Sequence, residues 1–337
     1  MPEASAAELP QNDGRSIEEI VVVANKSERS LREIAANVTV ISAAEIRSDM
    51  ATSMADVLRY LPGIDDEGAG TRFGSEGISI RGIGGNRVAL LIDGVPLSDQ
   101  FDVGSFSNAT RDLVDTGFVE RAEILHGPAS ALYGSSAIGG VVALQTPDPT
   151  IITGTGASGG RFRTTLRGAD SSVHAKALHG FSSRKMAALA GISLRDGQEQ
   201  ESASGSTNLD QRNHERYAGI LKFRHDNVLG NTLRLAYYTQ ESEVQSSLAS
   251  MLGSGRFRST TALDSDDSQR VDLVSAELGF GVAGGLVDEG LLRAYVGKTD
   301  IEQRTFDERG LAARPVLIDR FFSFEQDFRG LEVNLQK

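Results

Sequence analysis

Residue types able to do chemistry are few in this chain, and their spacing does not suit catalysis. The five histidines, His126, His174, His179, His214 and His225, are scattered. On a strand only positions i and i+2 share a face, so His174 and His179, five apart, do not make a same-face pair. No G-x-S-x-G elbow and no H-E-x-x-H run occurs. Absence of cysteine excludes a disulfide scaffold, thiolate zinc sites and a cysteine nucleophile. Asp264-Ser265-Asp266-Asp267 suggests calcium by composition, but it lacks the loop glycine and closing glutamate of an EF-hand and reads as a solvated acidic loop. The glycines Gly68, Gly70, Gly74, Gly77, Gly82, Gly84 and Gly85 match no phosphate-cradling spacing between a strand and a helix. These residues imply no catalytic group, no metal site and no enzyme. With 34 Lys and Arg against 46 Asp and Glu, the net charge of −12 leaves no basic footprint for nucleic acid.

The elements that could position a binding site fall into two blocks. At 337 residues and 39% hydrophobic, the chain is long enough for two cored domains. Its longest apolar runs, Ile20–Val23 and Val88–Ile92, fall far short of the roughly 20 residues of a membrane helix. Any crossing of a membrane would therefore use a closed β-barrel. Met1 to Glu8 has neither the basic nor the apolar region of a secretory leader, and the segment to Arg15 reads as a polar tail.

From Val38 onward short elements alternate. Val38–Ile41 reads as a strand, Ser42 with Glu45 forms a capping box, and Ser53 with Asp56 opens a second helix that Pro62-Gly63 stops. Ile78–Ile80, Arg87–Ile92, Val119–Leu125 and Gly139–Leu144 read as strands, with Asp93-Gly94 as a turn and one helical turn at Ala129–Tyr133. This is a compact α+β domain. After Pro147-Asp148-Pro149 the helical starts vanish. Runs of about ten residues alternate in polarity, at Arg161–Gly168, Tyr217–Arg224, Asn231–Thr239, Val271–Phe280, Leu291–Gly297 and Phe321–Phe328. Segments such as Asp196–Gln211 and Ser246–Gln269 separate them. A transmembrane barrel and a soluble β-sandwich both read this way. The chain has no Trp for an aromatic girdle, which Tyr237, Tyr238, Phe321 and Phe322 could supply in part.

Six segments in order carry a likeness. They are Glu18–Ala24, Asp56–Gly63, Ile80–Gly82, Val88–Pro96, Val119–Leu125, and Gly127–Gly134 running into Gly139–Val142. Together they resemble the plug domain of TonB-dependent outer-membrane receptors. The resemblance implies an α+β plug followed by antiparallel transmembrane β-barrel strands, an incomplete barrel. Residues 1–29 would be a flexible tail, 30–147 the plug and 148–337 the first part of the barrel. A plug of about 120 residues does not fit a small barrel, and eight or nine strands cannot close around it. An N-terminal fragment of a larger receptor is therefore expected. Arg81–Val88, Phe101–Asp112 and Gly139–Pro149 resemble the haem and haemoglobin receptor branch more narrowly.

The likeness implies a Gram-negative outer-membrane location, contact with outer-membrane lipid, and uptake of an iron-containing ligand. That ligand would be haem from haemoglobin or a related carrier, as transported ligand rather than resident cofactor. A ferric-siderophore receptor of the same fold is the alternative. A non-transporting β-rich surface binding protein is the alternative of another class. Glu18, Glu19, Ile20, Val21, Val22, Val23 and Ala24 would be the TonB box, pairing as a strand with TonB of the inner-membrane energising complex. Gly84, Gly85, Asn86, Arg87, Asp99, Phe101, Asp102 and Phe106 would face the ligand, with Phe101 and Phe106 placed to stack on a porphyrin. Pro96 to Asp115 holds no histidine, so no axial haem ligand is expected there. His126 stands where the family usually has Arg or Lys.

Overall fold

The computed structural model describes residues 20–21, 29–30, 37–67, 77–104, 106–199, 209–227, 230–281, 288–310 and 315–336. Of the segment 18–24, only Ile20–Val21 (β1) lies within the described residues, paired antiparallel with Arg29–Ser30 (β2). Glu18, Glu19, Val22, Val23 and Ala24 lie outside them.

An inner domain forms first. Val38–Ser42 (β3) leads into Ala43–Ser48 (α1), where Ser42 and Glu45 close the expected capping box. Met54–Leu58 (α2) is capped by Ser53. There the Asp56 carboxylate reaches back to the Thr52 amide and hydroxyl, each at 3.1 Å, rather than to the cap residue's own amide. Ile64–Glu67 (β4) pairs with Gly77–Ile80 (β5). Val88–Ile92 (β6), Val95–Pro96 (β7), Arg121–His126 (β10) and Gly140–Gln145 (β11) join β3 in a five-stranded sheet of order β3-β10-β11-β6-β7. The β6 strand is buried along its whole length, which is why it reads as an unbroken apolar run. At its end, Asp93 (φ 48°) and Gly94 (φ 78°) both have positive φ, as a type I′ hairpin turn requires. A small hairpin, Phe101–Gly104 (β8) with Ser107–Ala109 (β9), projects from this domain, and Ser130–Tyr133 (α3) is the single helical turn.

Helical starts do not end at Pro149. Asp148 caps Pro149–Thr153 (α4), with proline in the first turn. An eight-stranded antiparallel meander follows: Ser158–Arg167 (β12), Ser172–Ser182 (β13), Met186–Gln198 (β14), Gln211–Asp226 (β15), Thr232–Ser247 (β16), Thr260–Gly281 (β17), Glu289–Arg309 (β18) and Val316–Gln336 (β19). Strands lengthen along this wall from 10 residues in β12 to 22 in β17. The sequence reading of ten-residue runs thus undercounts them. Asp264–Asp267, expected in a solvated loop, lies within β17, where Ser265 is buried and Asp264 and Asp266 face out.

Alternation gives the wall two faces. One packs on the inner domain. On the other, the lower part is apolar: Val274 and Leu278 on β17, Leu292 and Val296 on β18, and Leu331, Val333 and Leu335 on β19 are all exposed. Higher on the same face stand Arg270 and Asp272, Lys298 and Asp300, and Glu325 and Asp327, in register from strand to strand. An apolar band capped by charge is what a lipid-facing barrel surface requires. Tyr237 faces outward at the top of the band. Tyr238 and Phe322 do not join a girdle. They point inward, Tyr238 buried against the inner domain and Phe322 stacked on Phe101.

Candidate functional site

The candidate ligand-facing residues gather at the upper end of the inner domain. Gly84 enters a 3₁₀ turn, Gly85–Arg87. Asn86 clamps the neighbouring loop: its Nδ2 donates to the Gln100 carbonyl at 2.8 Å, and its Oδ1 accepts from the Gln100 amide at 2.6 Å. Beneath the turn, the buried Arg111 donates to the Val88 carbonyl at 2.8 Å and to the Gly85 carbonyl at 3.4 Å. Burial pushes its guanidinium down to about 10. Asp99 is tied to the wall, its amide donating to Gln326 Oε1 at 2.8 Å. The Asp102 carboxylate accepts from the Gly104 amide at 2.9 Å and shapes the hairpin.

Both phenylalanines already touch rings of the wall, though Phe101 stays exposed. Phe101 stacks on Phe322 and Phe324 of β19, with centroids 5.9 and 6.0 Å away. Phe106 meets Phe257 edge-on at 5.8 Å, and the Arg256 and Arg320 guanidinium groups lie 4.7 and 4.4 Å from its centroid. These rings fasten the β8–β9 hairpin to β19 and to the 248–259 loop. Gly84–Arg87 and Asp99–Asp102 are brought together through Asn86 and Gln100, whereas Phe106 belongs to a separate cluster with Leu248, Met251, Leu252, Phe257 and Leu263.

The seam between inner domain and wall is the part that the sequence reading missed. Four consecutive wall strands each contribute one glutamine to the segment 99–112. Gln240 and Gln269 donate to the Asp112 carbonyl at 2.9 and 3.0 Å. Gln303 accepts from the Asn108 amide at 3.0 Å, and Gln326 from the Asp99 amide as above. These bonds reach the backbone, so they hold the segment without requiring particular side chains on it.

Charges follow one sense around the seam, carboxylates mostly from the inner domain and cations mostly from the wall. Asp56 pairs with Arg167 at 2.9 Å, Glu120 with Arg161 at 2.8 Å, Asp93 with Lys222 at 3.0 Å, and Asp112 with Arg216. Asp115 sits 3.5 Å from His174 Nε2, which bonds Ser193 Oγ at 2.8 Å. Burial works to raise the Asp115 carboxyl, but the hydrogen bond and charge of His174, with Arg216 beyond it, hold it at about 2. Asp115 and Ser193 meet the same ring nitrogen of His174, so this trio is an anchor and lacks the relay geometry of a catalytic triad. A signal for the seam was present: Arg161, Arg163 and Arg167 recur at even spacing and must share one strand face. His126 bonds Thr39 at 2.9 Å within the inner sheet.

Comparison with known proteins now adds to this geometry. Residues 30–141 match the family described as the TonB-dependent Receptor Plug Domain. A vitamin B12 transporter of Vibrio vulnificus is 40% identical over 141 residues, covering 42% of this chain and 22% of that protein. A hemin receptor of Yersinia enterocolitica is 37% identical over 134 residues, covering 40% and 19%. The chain thus spans about a fifth of the length of these relatives. Among solved structures, the ferripyoverdine receptor of the Pseudomonas aeruginosa outer membrane superposes over 98% of this chain and 53% of its own, with TM-score 0.61 at 14% identity. The Serratia marcescens hemophore receptor, solved with its hemophore and heme, covers 90% and 61% with TM-score 0.57 at 13% identity. At such identities the likeness is one of fold. The inner domain is a plug, and the eight strands correspond to part of the barrel wall around it.

Proposed function

We propose that this chain, which has the fold of a TonB-dependent receptor, supplies the plug and eight wall strands of a receptor in a Gram-negative outer membrane. Its cargo is an iron-containing ligand, with haem from haemoglobin or a related carrier in first place. The observation that carries this reading is a plug held by polar contacts against one face of a wall whose other face bears an apolar band. The plug blocks the lumen, the ligand binds above it, and the segment Glu18 to Ala24 adds as a strand to TonB, where backbone hydrogen bonds supply the affinity. The likeness to a vitamin B12 transporter favours a second reading, in which the cargo is a corrin. Haem and vitamin B12 are both metal tetrapyrroles, so the two plug relatives favour that class over a ferric siderophore.

Titration of the detergent-purified protein with hemin, cyanocobalamin and a ferric siderophore tests the reading. A saturable Soret band with hemin supports haem. Saturable binding of cyanocobalamin or of the ferric chelate alone replaces the ligand while keeping the receptor. Binding of none of the three overturns the receptor reading. Val22→Pro removes a backbone donor from the TonB-box segment. Whole cells carrying it should bind ligand and fail to import it, and normal import would remove the box assignment.

A further inference from the structure

At its lower end the seam is not filled. A cavity of about 340 Å³ separates Leu91, Ala143 and Leu144 of the plug from Ala236, Ser275 and Leu291 of the wall. Higher up, the same seam is tightly packed. Phe118 is fully buried in one apolar cluster with Leu178, Ile220, Tyr238 and Val271. Gly191 faces that ring, and a Cβ there would come within 3.1 Å of it.

Four wall cations line the cavity. Arg224 and Arg234 have carboxylates on the wall itself, Asp226 at 3.0 Å and Glu277 at 2.7 Å, whereas Lys222 and Arg293 grip the Asp93–Gly94 turn. Lys222 Nζ lies 3.0 Å from the Asp93 carboxylate and donates to the Thr146 carbonyl at 3.0 Å. Arg293 donates to the Gly94 carbonyl at 3.4 Å and is held by Glu277 at 2.7 Å and Glu332 at 3.3 Å. The two cations differ in what they keep when the turn moves. Arg293 retains both of its carboxylates, which are wall residues. Lys222 loses its carboxylate and its carbonyl together, because Asp93 and Thr146 both belong to the plug. A cation stripped of its partners beside a low-dielectric wall attracts the next anion to arrive.

We propose that this cavity is the passage by which the transported ligand leaves the plug–wall seam, and that Lys222 selects there for a ligand bearing carboxylates or equivalent anionic groups. Phe118 marks the packed side, about which the plug stays seated. The Asp93–Gly94 turn is the latch. An anionic group on the ligand takes the place of the Asp93 carboxylate on Lys222, so the ligand stabilises the unlatched state. This inference rests on the receptor reading for its cargo, and its test uses no natural ligand.

The chain has no cysteine, so a single introduced thiol reports its own site. Ser275→Cys places one on the cavity wall, and Ala218→Cys places one in the packed seam. The probes are the anionic 2-sulfonatoethyl and the cationic 2-trimethylammonioethyl methanethiosulfonates, each rate normalised to a free thiol. With Asp93→Asn to remove the carboxylate that neutralises Lys222, the anionic reagent should modify Ser275→Cys about tenfold faster than the cationic one. Adding Lys222→Gln should abolish that preference, and Ala218→Cys should stay slow throughout. Ala236→Cys, on the neighbouring strand, must repeat the pattern, which guards against a local fault at position 275. Equal rates at Ser275→Cys and Ala218→Cys would overturn the passage. A charge preference that never forms, or that survives loss of Lys222, would overturn the anion assignment. Failure of every ligand titration would instead remove the receptor reading and leave the labelling pattern intact.

Discussion

Inside the plug, Leu90, Ile124, Val142 and Leu144 pack between strands with almost no exposure. Along the seam, ion pairs and amide hydrogen bonds join plug to wall beside patches of apolar contact. Apolar burial has no substitute partner when it is broken, whereas water can replace a polar bond with little net change. The plug is thus built to stay folded as a unit, while its seat in the wall is built from bonds that can be exchanged. Apolar anchors interrupt this polar seam: Phe118 within the main cluster, Phe101 on Phe322 and Phe324, and Phe106 on Phe257.

Of these anchors, Phe118 sets the largest expected effect. Phe118→Ala removes a fully buried ring from the packed side and should cost about 4 kcal/mol, read as a lowered urea midpoint. Loss below about 1 kcal/mol would mean that the polar bonds alone seat the plug. Next comes the half-buried pair Asp112 and Arg216. Arg216→Ala leaves the half-buried Asp112 carboxylate uncompensated and should cost about 2 kcal/mol. Arg216→Met with Asp112→Leu should recover much of that loss, because the pair's desolvation is then avoided. No recovery in the double variant would show that the ionic seam contributes net stability.

Acid should loosen the seam before the plug core. The native Asp115 carboxyl titrates at about 2, and an unfolded aspartate near 4. Above about pH 4 both states are ionised and the full stabilisation of about 2 kcal/mol is present. It is lost as pH falls from about 4 to about 2. Asp115→Asn should flatten that part of the stability profile, measured by urea unfolding at successive pH values.

How much of this was legible in the sequence follows from the range of the forces involved. Ser42 with Glu45 and Asp93-Gly94 act over a few residues, and their motifs appear in the structure as read. Asp148-Pro149 carried an equally local helix start that the change to strand patterning masked. The wall strands were found but cut short, because their upper outward faces are charged. Lys298 through Arg304 alternates charge with Thr and Ile in a way that looks like a loop and is a strand. The seam is set by which inward positions meet which plug residues, and pairs such as Asp112 with Arg216 are 104 positions apart. Phe101 and Phe106 were singled out as aromatics, but not that they meet rings of β19 and of the 248–259 loop.

The smallest expected effect tests the glutamine ladder. Gln303→Ala should cost about 1 kcal/mol, since it removes one neutral hydrogen bond to the Asn108 backbone. Its consequence for position should exceed its consequence for stability. The four glutamines hold segment 99–112 from four successive strands, so loss of one frees the stretch nearest to it. Hydrogen exchange at the Asn108 amide should rise in Gln303→Ala while exchange in β6 and β10 stays at its original rate. Were β6 amides to quicken equally, plug and wall would unfold as one body, and the contrast between a permanent core and an exchangeable seat would fail.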